Sequence, residues 1–427
     1  MTSRERVRKA INHEVPDKVP FDLGSTSVTG IHAGAYTNLK DILGIKSGEI
    51  RVVDPFQMLA EIEEPVKEKI GIDTFGIQLP YTIFGFKNEN WTQWRLFDGT
   101  EVMISGYFEY DIAKSGDILT YPQGDKSSLP SGRMTKDGYY FDAIVRQKPI
   151  IEEELDPKKW VDQTLSLYSE DDMMYLKQTV DRVYEGTEYA IVGNFCDGGL
   201  GDIGVVPGLN VKDPDGIRDP EEWYVSLITR KNYIKELFGY QTELALKNLK
   251  MYHEACGDRI DIINISETDF GGQRGLLFSR EIFRELFKPY LREINDWVHK
   301  YTNWKVFYHT CGSIIELMDD FVEIGIDILN PVQYGAENMD LEDLKNDFGN
   351  KVVLWGGGVD TQWTLPFGKP EEVEEEVINN LKVLAKGGGF VFSAVHNIQA
   401  NIPVDNLKAL VETFHKWREV QVFPATV

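Results

Sequence analysis

The chain of 427 residues is 42% hydrophobic and carries 69 acidic against 45 basic side chains, a formal charge of −24 at pH 7. That is ample apolar material for a large core, and the length suits one α/β barrel with an insertion. The negative charge excludes nucleic acid and anionic membrane surfaces as partners over most of the exterior, which leaves small molecules and proteins.

The opening segment, Met1 to Arg8, is charged and amphipathic without an apolar core run. Nowhere does the chain approach the roughly 18 to 20 apolar residues of a membrane-spanning helix, so a cytoplasmic protein is expected. Cys196, Cys256 and Cys311 make no disulfide framework, which fits a reducing compartment and frees Cys311 for metal or redox chemistry.

Short apolar, β-branched runs alternate with amphipathic helical stretches, the rhythm of a parallel sheet with helices outside it. Strands are expected near residues 19–22, 74–78, 189–194, 260–266, 305–309, 327–331, 352–356 and 389–393. Eight of them predict a closed (β/α)8 TIM barrel, a single domain over residues 1–427. Between the second and third, Asp98-Gly99 and Asp137-Gly138 each interrupt alternating runs, which is a hairpin signal. A β-rich insertion over residues 84–150 is therefore expected, placed as a lid on the barrel mouth. Helices are expected over 281–300, 313–324 and 405–417. Another starts at Pro370, is acidic in its first turn and stops at Lys386-Gly387.

Barrel enzymes keep their reactive groups at the C-terminal ends of strands. There the sequence places His309 and Cys311 at i and i+2, and His396 at the end of the last strand. Two imidazoles and a thiolate can hold one zinc ion and leave its fourth position free. Glu267 and Asp269 are candidate catalytic carboxylates. The roles open to them are fourth ligand, proton donor to a leaving oxygen, partner fixing a histidine tautomer, or turn chemistry beside Gly271-Gly272. Asp22, Gln78, Asn194, Tyr308 and Gln333 are candidates for substrate contact, with loop shaping the alternative for Asp22. His13, His32, His253, His299 and His415 are expected to be solvated or satisfied imidazoles. The Gly356-Gly357-Gly358 run lacks the Lys-Ser/Thr of a phosphate loop and reads as a tight turn or a close backbone approach. Trp91, Trp94, Tyr107, Phe108, Tyr110 and Tyr139 to Phe141 either line an apolar substrate pocket or form the core of a small sheet.

Four segments carry a resemblance over nearly the whole length: residues 4–20, opening Arg4-Glu5-Arg6-Val7-Arg8; the His309-Thr310-Cys311-Gly312 turn; residues 356–360; and residues 396–406, opening His396-Asn397. Through them the chain resembles the uroporphyrinogen decarboxylase-like superfamily, and more closely its zinc-dependent, corrinoid-linked methyltransferase branch. In that branch the His-x-Cys turn gives two zinc ligands, and a cysteine seven residues before a late proline gives the third. Here His396 stands seven before Pro403. The decarboxylases also carry a histidine at that place, so it is His309 and Cys311 that look like the methyltransferases. The arginine-bearing loop of the decarboxylases, which pairs with substrate carboxylates, has no arginine in the matching residues 24–34. The resemblance thus implies Zn2+, a small methylated substrate such as an aromatic methyl ether undergoing O-demethylation, and cobalamin carried by a partner corrinoid protein. The rival readings are a metal-independent decarboxylase and a ligand-binding barrel without catalysis, and a homodimer is left open.

Overall fold

The computed structural model describes residues 1–420. Its centre is a seven-stranded, all-parallel sheet whose strands neighbour one another in sequence order. They are β1 (Thr74–Ile77), β2 (Ala190–Asn194), β3 (Ile262–Ser266), β4 (Lys305–His309), β5 (Ile328–Asn330), β6 (Val353–Trp355) and β7 (Phe390–Val391). Crossover helices cover the outside, among them Glu170–Gly186, Lys231–Cys256, Lys288–Tyr301 and Pro370–Leu384. None of the described helices is long and apolar enough to cross a membrane.

The two sheet edges meet on the segment around Phe21. Phe21 bridges Phe392 in parallel, with Asp22 N–H donating to the Phe392 carbonyl at 2.9 Å. On its other side Asp73 N–H donates to the Phe21 carbonyl at 2.8 Å. The curled sheet thus fits a (β/α)8 barrel-like fold.

Alternation along the strands decides what fills the barrel. Ala190, Val192, Ile262, Phe307, Ile328, Val353, Trp355 and Val391 face one another as a separate apolar cluster. Val7, Ala10 and Ile11 of helix α1 (Ser3–Ile11) join it. This helix lies across the N-terminal ends of the strands: Arg8 Nε donates to Asp261 Oδ1 at 2.5 Å and Arg4 Nε to the Tyr189 carbonyl at 3.0 Å. The same alternation carried one step onward turns the opposite end polar. The next inward positions are Asn194 and Asn264, paired across β2 and β3, and His309 and Asn330, paired across β4 and β5.

Between β1 and β2 the chain forms two small antiparallel sheets. Asp98-Gly99 lies between the paired strands Thr92–Arg95 and Glu101–Ile104. Asp137-Gly138 lies between Gly132–Met134 and Asp142–Ala143.

Candidate metal centre

His309 is the last residue of β4, and the following turn brings Cys311 back beneath it, with the thiol 3.3 Å from His309 Nε2. His396 arrives from the loop after β7, and its ring meets that of His309 edge to face at a centroid distance of 5.2 Å. One donor atom from each of the three lies within 4.8 Å of the others. Zinc bonds of roughly 2.0 to 2.3 Å set tetrahedral edges of about 3.3 to 3.8 Å, so a small inward movement of these side chains closes the set around one ion.

Hydrogen bonding fixes the first of these ligands. Asn330 Nδ2 donates to the Trp355 carbonyl at 3.0 Å, which turns Asn330 Oδ1 toward His309 Nδ1 at 2.6 Å. Nδ1 therefore carries the ring proton, and the bare Nε2 lone pair points at Cys311 Sγ. Burial drives the ring's pKa down to about 4, so it stays neutral and able to ligate. His396 is also neutral, pushed down to about 3 by burial and then by His309. Its Nδ1 accepts the Asn397 N–H at 2.8 Å, so the ring proton sits on Nε2. A metal on Nδ1 takes the lone pair that accepts this N–H, and a metal on Nε2 moves the ring proton to Nδ1, where it faces another N–H, so of the three candidates His396 is the one that must rearrange. Burial holds the Cys311 thiol well above its ordinary pKa, with Asp269 adding to the effect.

The Cys311 turn is laced to the loop after β3. Cys311 N–H donates to Asp269 Oδ1 at 2.6 Å, Phe270 N–H to Thr310 Oγ1 at 2.9 Å, and Ser313 N–H to the Gly272 carbonyl at 2.8 Å. Gly312 and Gly271 permit this approach: a Cβ on Gly312, at φ +87°, would stand 2.4 Å from the Gly271 carbonyl carbon. Asp269 Oδ1 is 4.0 Å from His309 Nε2. Glu267 lies on the same loop, both carboxylate oxygens 2.7 Å from Ser27 Oγ, with Asn264 Nδ2 donating to Oε1 at 2.8 Å.

The residues read as substrate contacts fall in different places. Asn194 and Gln78 line a cavity of about 220 Å³ beside the mouth. Asp22 is fully buried beneath it, accepting from Thr74 Oγ1 at 2.7 Å, Trp355 Nε1 at 2.9 Å and Ser25 N–H at 3.2 Å, so it shapes the floor. Gln333 Oε1 accepts the Gly312 N–H at 2.7 Å and braces the cysteine turn. Tyr308 is a correction. Neighbours on a strand face opposite sides, so with His309 inward Tyr308 points outward, fully buried, its hydroxyl 3.3 Å from Asn295 Oδ1. Asn264 and Ser27 escaped sequence reading. The one available signal was an asparagine inside the otherwise apolar run Ile262-Ile263-Asn264-Ile265.

Residues 215–417 match the family model described as uroporphyrinogen decarboxylase (URO-D). The uroporphyrinogen decarboxylase of Pseudoalteromonas atlantica is 32% identical over 79 residues, 18% of this chain and 21% of that protein. That of Photorhabdus laumondii subsp. laumondii is 28% identical over 148 residues, 33% of this chain and 38% of that protein. The chain therefore spans 21% of the length of the first of these curated relatives and 38% of the second. Among solved structures, the methyltransferase from Methanosarcina mazei matches over 98% of this chain and 99% of its own, with a TM-score of 0.54 and 17% identity, a likeness of fold. Residues 215–417 are thus similar to the uroporphyrinogen decarboxylase family, in the direction that the sequence resemblance points.

Proposed function

We propose that this protein is a zinc-dependent methyltransferase that moves a methyl group between a small methylated substrate and the cobalamin of a partner corrinoid protein. The observation that carries the proposal is the convergence of His309, Cys311 and His396 at the C-terminal mouth of the barrel. Two imidazoles and a sulfur suit zinc better than the harder divalent ions. The fold-sharing chain from Methanosarcina mazei carries the name methyltransferase.

Zinc held by these side chains would supply a Lewis acid for the oxygen or sulfur that bears the methyl group. Asn330 keeps His309 in the ligating tautomer, and Gln333 with Asp269 holds the cysteine turn. Asp269, on the His309 side of the mouth, is placed to steer or protonate a departing oxygen. Gln78 and Asn194 wall the adjoining cavity as substrate contacts. Tyr139, Tyr140, Phe56, Trp363 and Phe367 line an open groove of about 890 Å³ spanning the insertion and the loop after β6. Aromatic rings there favour an aromatic or other small methyl ether as donor.

The test is metal content followed by methyl transfer. The purified protein should hold about one zinc per chain, and Cys311→Ser should lose most of it. With cob(I)alamin and a panel of methoxylated aromatics, methylcobalamin absorbance should appear with the wild type and fail with Cys311→Ser. Full activity in a metal-free preparation would defeat the proposal.

A second reading, decarboxylation, is favoured by the family match over residues 215–417. The absence of arginine from residues 24–34 weighs against a polycarboxylate substrate. Carbon dioxide release from a porphyrinogen by metal-free protein would establish it instead.

A further inference from the structure

Ser27, in the loop that follows the Phe21 segment, faces two other loops at once. Its hydroxyl donates to Glu267, with both carboxylate oxygens at 2.7 Å. Its main-chain carbonyl accepts from Asn397 Nδ2 at 2.8 Å and from Gln57 Nε2 at 3.3 Å. Asn397 is fully buried and uses both polar atoms of its side chain. Besides Ser27, Nδ2 donates to Gln57 Oε1 at 2.8 Å, and Oδ1 accepts the Gly30 N–H at 2.5 Å. The next residue is tied to the same loop, since Ile398 N–H donates to the Gly30 carbonyl at 3.0 Å and His32 N–H to the Ile398 carbonyl at 2.8 Å.

These bonds bear on the metal centre because Asn397 directly follows His396. The amide fixes the main chain and not the imidazole, so His396 can still turn about its side-chain bonds and leave the Asn397 N–H. Cys311 is referenced to the same frame from the other side. Its N–H is accepted by Asp269 Oδ1 at 2.6 Å, and two residues earlier Glu267 is held by Asn264 Nδ2 at 2.8 Å as well as by Ser27. A continuous path of hydrogen bonds and main chain thus runs from the Cys311 turn through residues 267–269 and Ser27 to Asn397, beside His396. A ligand set drawn from separate loops binds tightly when those loops are held at the right separation beforehand, because ordering them on binding takes its cost from the affinity.

We infer that Asn397 is a positioning residue for the metal centre: its side-chain amide, clamped by Ser27, Gly30 and Gln57, holds the main chain at His396 within reach of His309 and Cys311. Glu267 anchors the clamp through Ser27, which gives a task to a carboxylate whose role the sequence leaves open. The inference rests on the proposed zinc centre, and it concerns how tightly the ion is held rather than the methyl chemistry. It also assigns the first loop, which supplies no candidate ligand, a part in building the site.

Zinc alone is the probe, and its affinity for the full-length protein is read by competition against a chromogenic chelator. Asn397→Ala should weaken zinc binding by roughly tenfold or more. Ser27→Ala, which keeps the accepting carbonyl and removes only the tie to Glu267, should weaken it by less. The deciding measurement repeats both changes in a His396→Ala protein, which keeps His309 and Cys311. There neither change should cost further affinity, whereas Asn330→Leu, which acts on His309, should keep its full effect. Residues that merely stabilise the fold would weaken zinc equally in both backgrounds, and that result would overturn the inference. So would wild-type affinity in a folded Asn397→Ala protein. Should Asn397→Ala fail to fold, Ser27→Ala carries the same comparison, and no loss from it would count against the inference in the same way. A wild type that takes up no zinc would overturn the inference and the functional proposal together. The expected pattern in a protein that transfers no methyl group would sink the functional proposal alone.

Discussion

Asn330 Oδ1 lies 2.6 Å from His309 Nδ1, and the amide that presents it is held the right way round by the Trp355 carbonyl. A strand-end asparagine on β5 thereby decides which nitrogen of a β4 histidine faces the cysteine. Partners of this kind typically contribute 10- to 100-fold in metal affinity, so Asn330→Leu should weaken zinc binding by roughly that factor. Competition against a chromogenic chelator reads it directly. An unchanged affinity would show that packing alone sets the ring.

The three ligands should not be equivalent. His309 and Cys311 already face each other at 3.3 Å, whereas His396 must give up the Asn397 N–H. Cys311→Ser and His309→Ala should therefore cost more zinc affinity than His396→Ala, by about tenfold. Chelator titrations of the three variants in parallel would check the order, and a larger loss from His396→Ala would refute it.

Much of this arrangement is legible in the sequence because parallel strands are covered on both faces and appear as short β-branched runs. Each of the seven paired strands overlaps its expected position, and the expected first strand appears as the Phe21 segment bridged to Phe392. The candidate metal-binding residues are legible because an imidazole and a thiol seldom end two such runs by chance. Tyr308 was misplaced because its nearness to His309 in sequence outweighed the alternation that separates them by the thickness of the sheet. Ser27 stayed hidden for another reason: it reaches Glu267 from a loop 240 residues away, and no local pattern records which loops meet.

Gly312→Ala should damage the centre without touching a ligand. At φ +87° any side chain is strained, and the new Cβ would press on backbone atoms of Gly271 and Gly272 that have no room to yield. The turn carrying Cys311 must shift away from His309. Zinc content should fall, and the midpoint of urea unfolding should drop by the equivalent of about 2 kcal/mol. Wild-type metal affinity in this variant would show that the two loops move together.

Barrel closure depends on a carboxylate next to β1. Asp73 accepts the Phe21 N–H at 2.9 Å and Arg6 Nη1 at 2.6 Å, and it pairs with Arg418 of the helix Val404–Val420. Its side chain is 2% exposed, and both arginines are buried. Asp73→Ala would leave buried Arg418 with no carboxylate and only the Gly71 carbonyl, leave Arg6 with Asp17 alone for a carboxylate and free the Phe21 amide, a cost of roughly 3 to 5 kcal/mol. The first urea transition should shift accordingly. A change below about 1 kcal/mol would mean that water replaces the carboxylate at the seam.

Acid sensitivity should trace to Asp320 on the helix Met318–Glu323. Its side chain has no exposure and meets Arg280 Nε at 2.6 Å, Arg284 Nε at 2.9 Å and Lys288 Nζ at 2.5 Å. Burial opposes ionisation, but the hydrogen bonds from Arg284, Lys288 and Arg280 outweigh it and lower the pKa from 3.8 to about 2. A carboxylate depressed in the folded state contributes stability that is complete above the unfolded value and is lost as pH falls through the folded one. The contribution should therefore be intact above about pH 4 and fade toward pH 2. Asp320→Asn should cost roughly 2 kcal/mol at pH 7, since Arg280 and Arg284 lose this carboxylate and Lys288 is left with Glu323 alone, all three keeping some solvent contact. Between pH 4 and pH 2 the gap between variant and wild type in thermal melts should narrow. A gap that stays constant across that range would assign the stabilisation to packing rather than to charge.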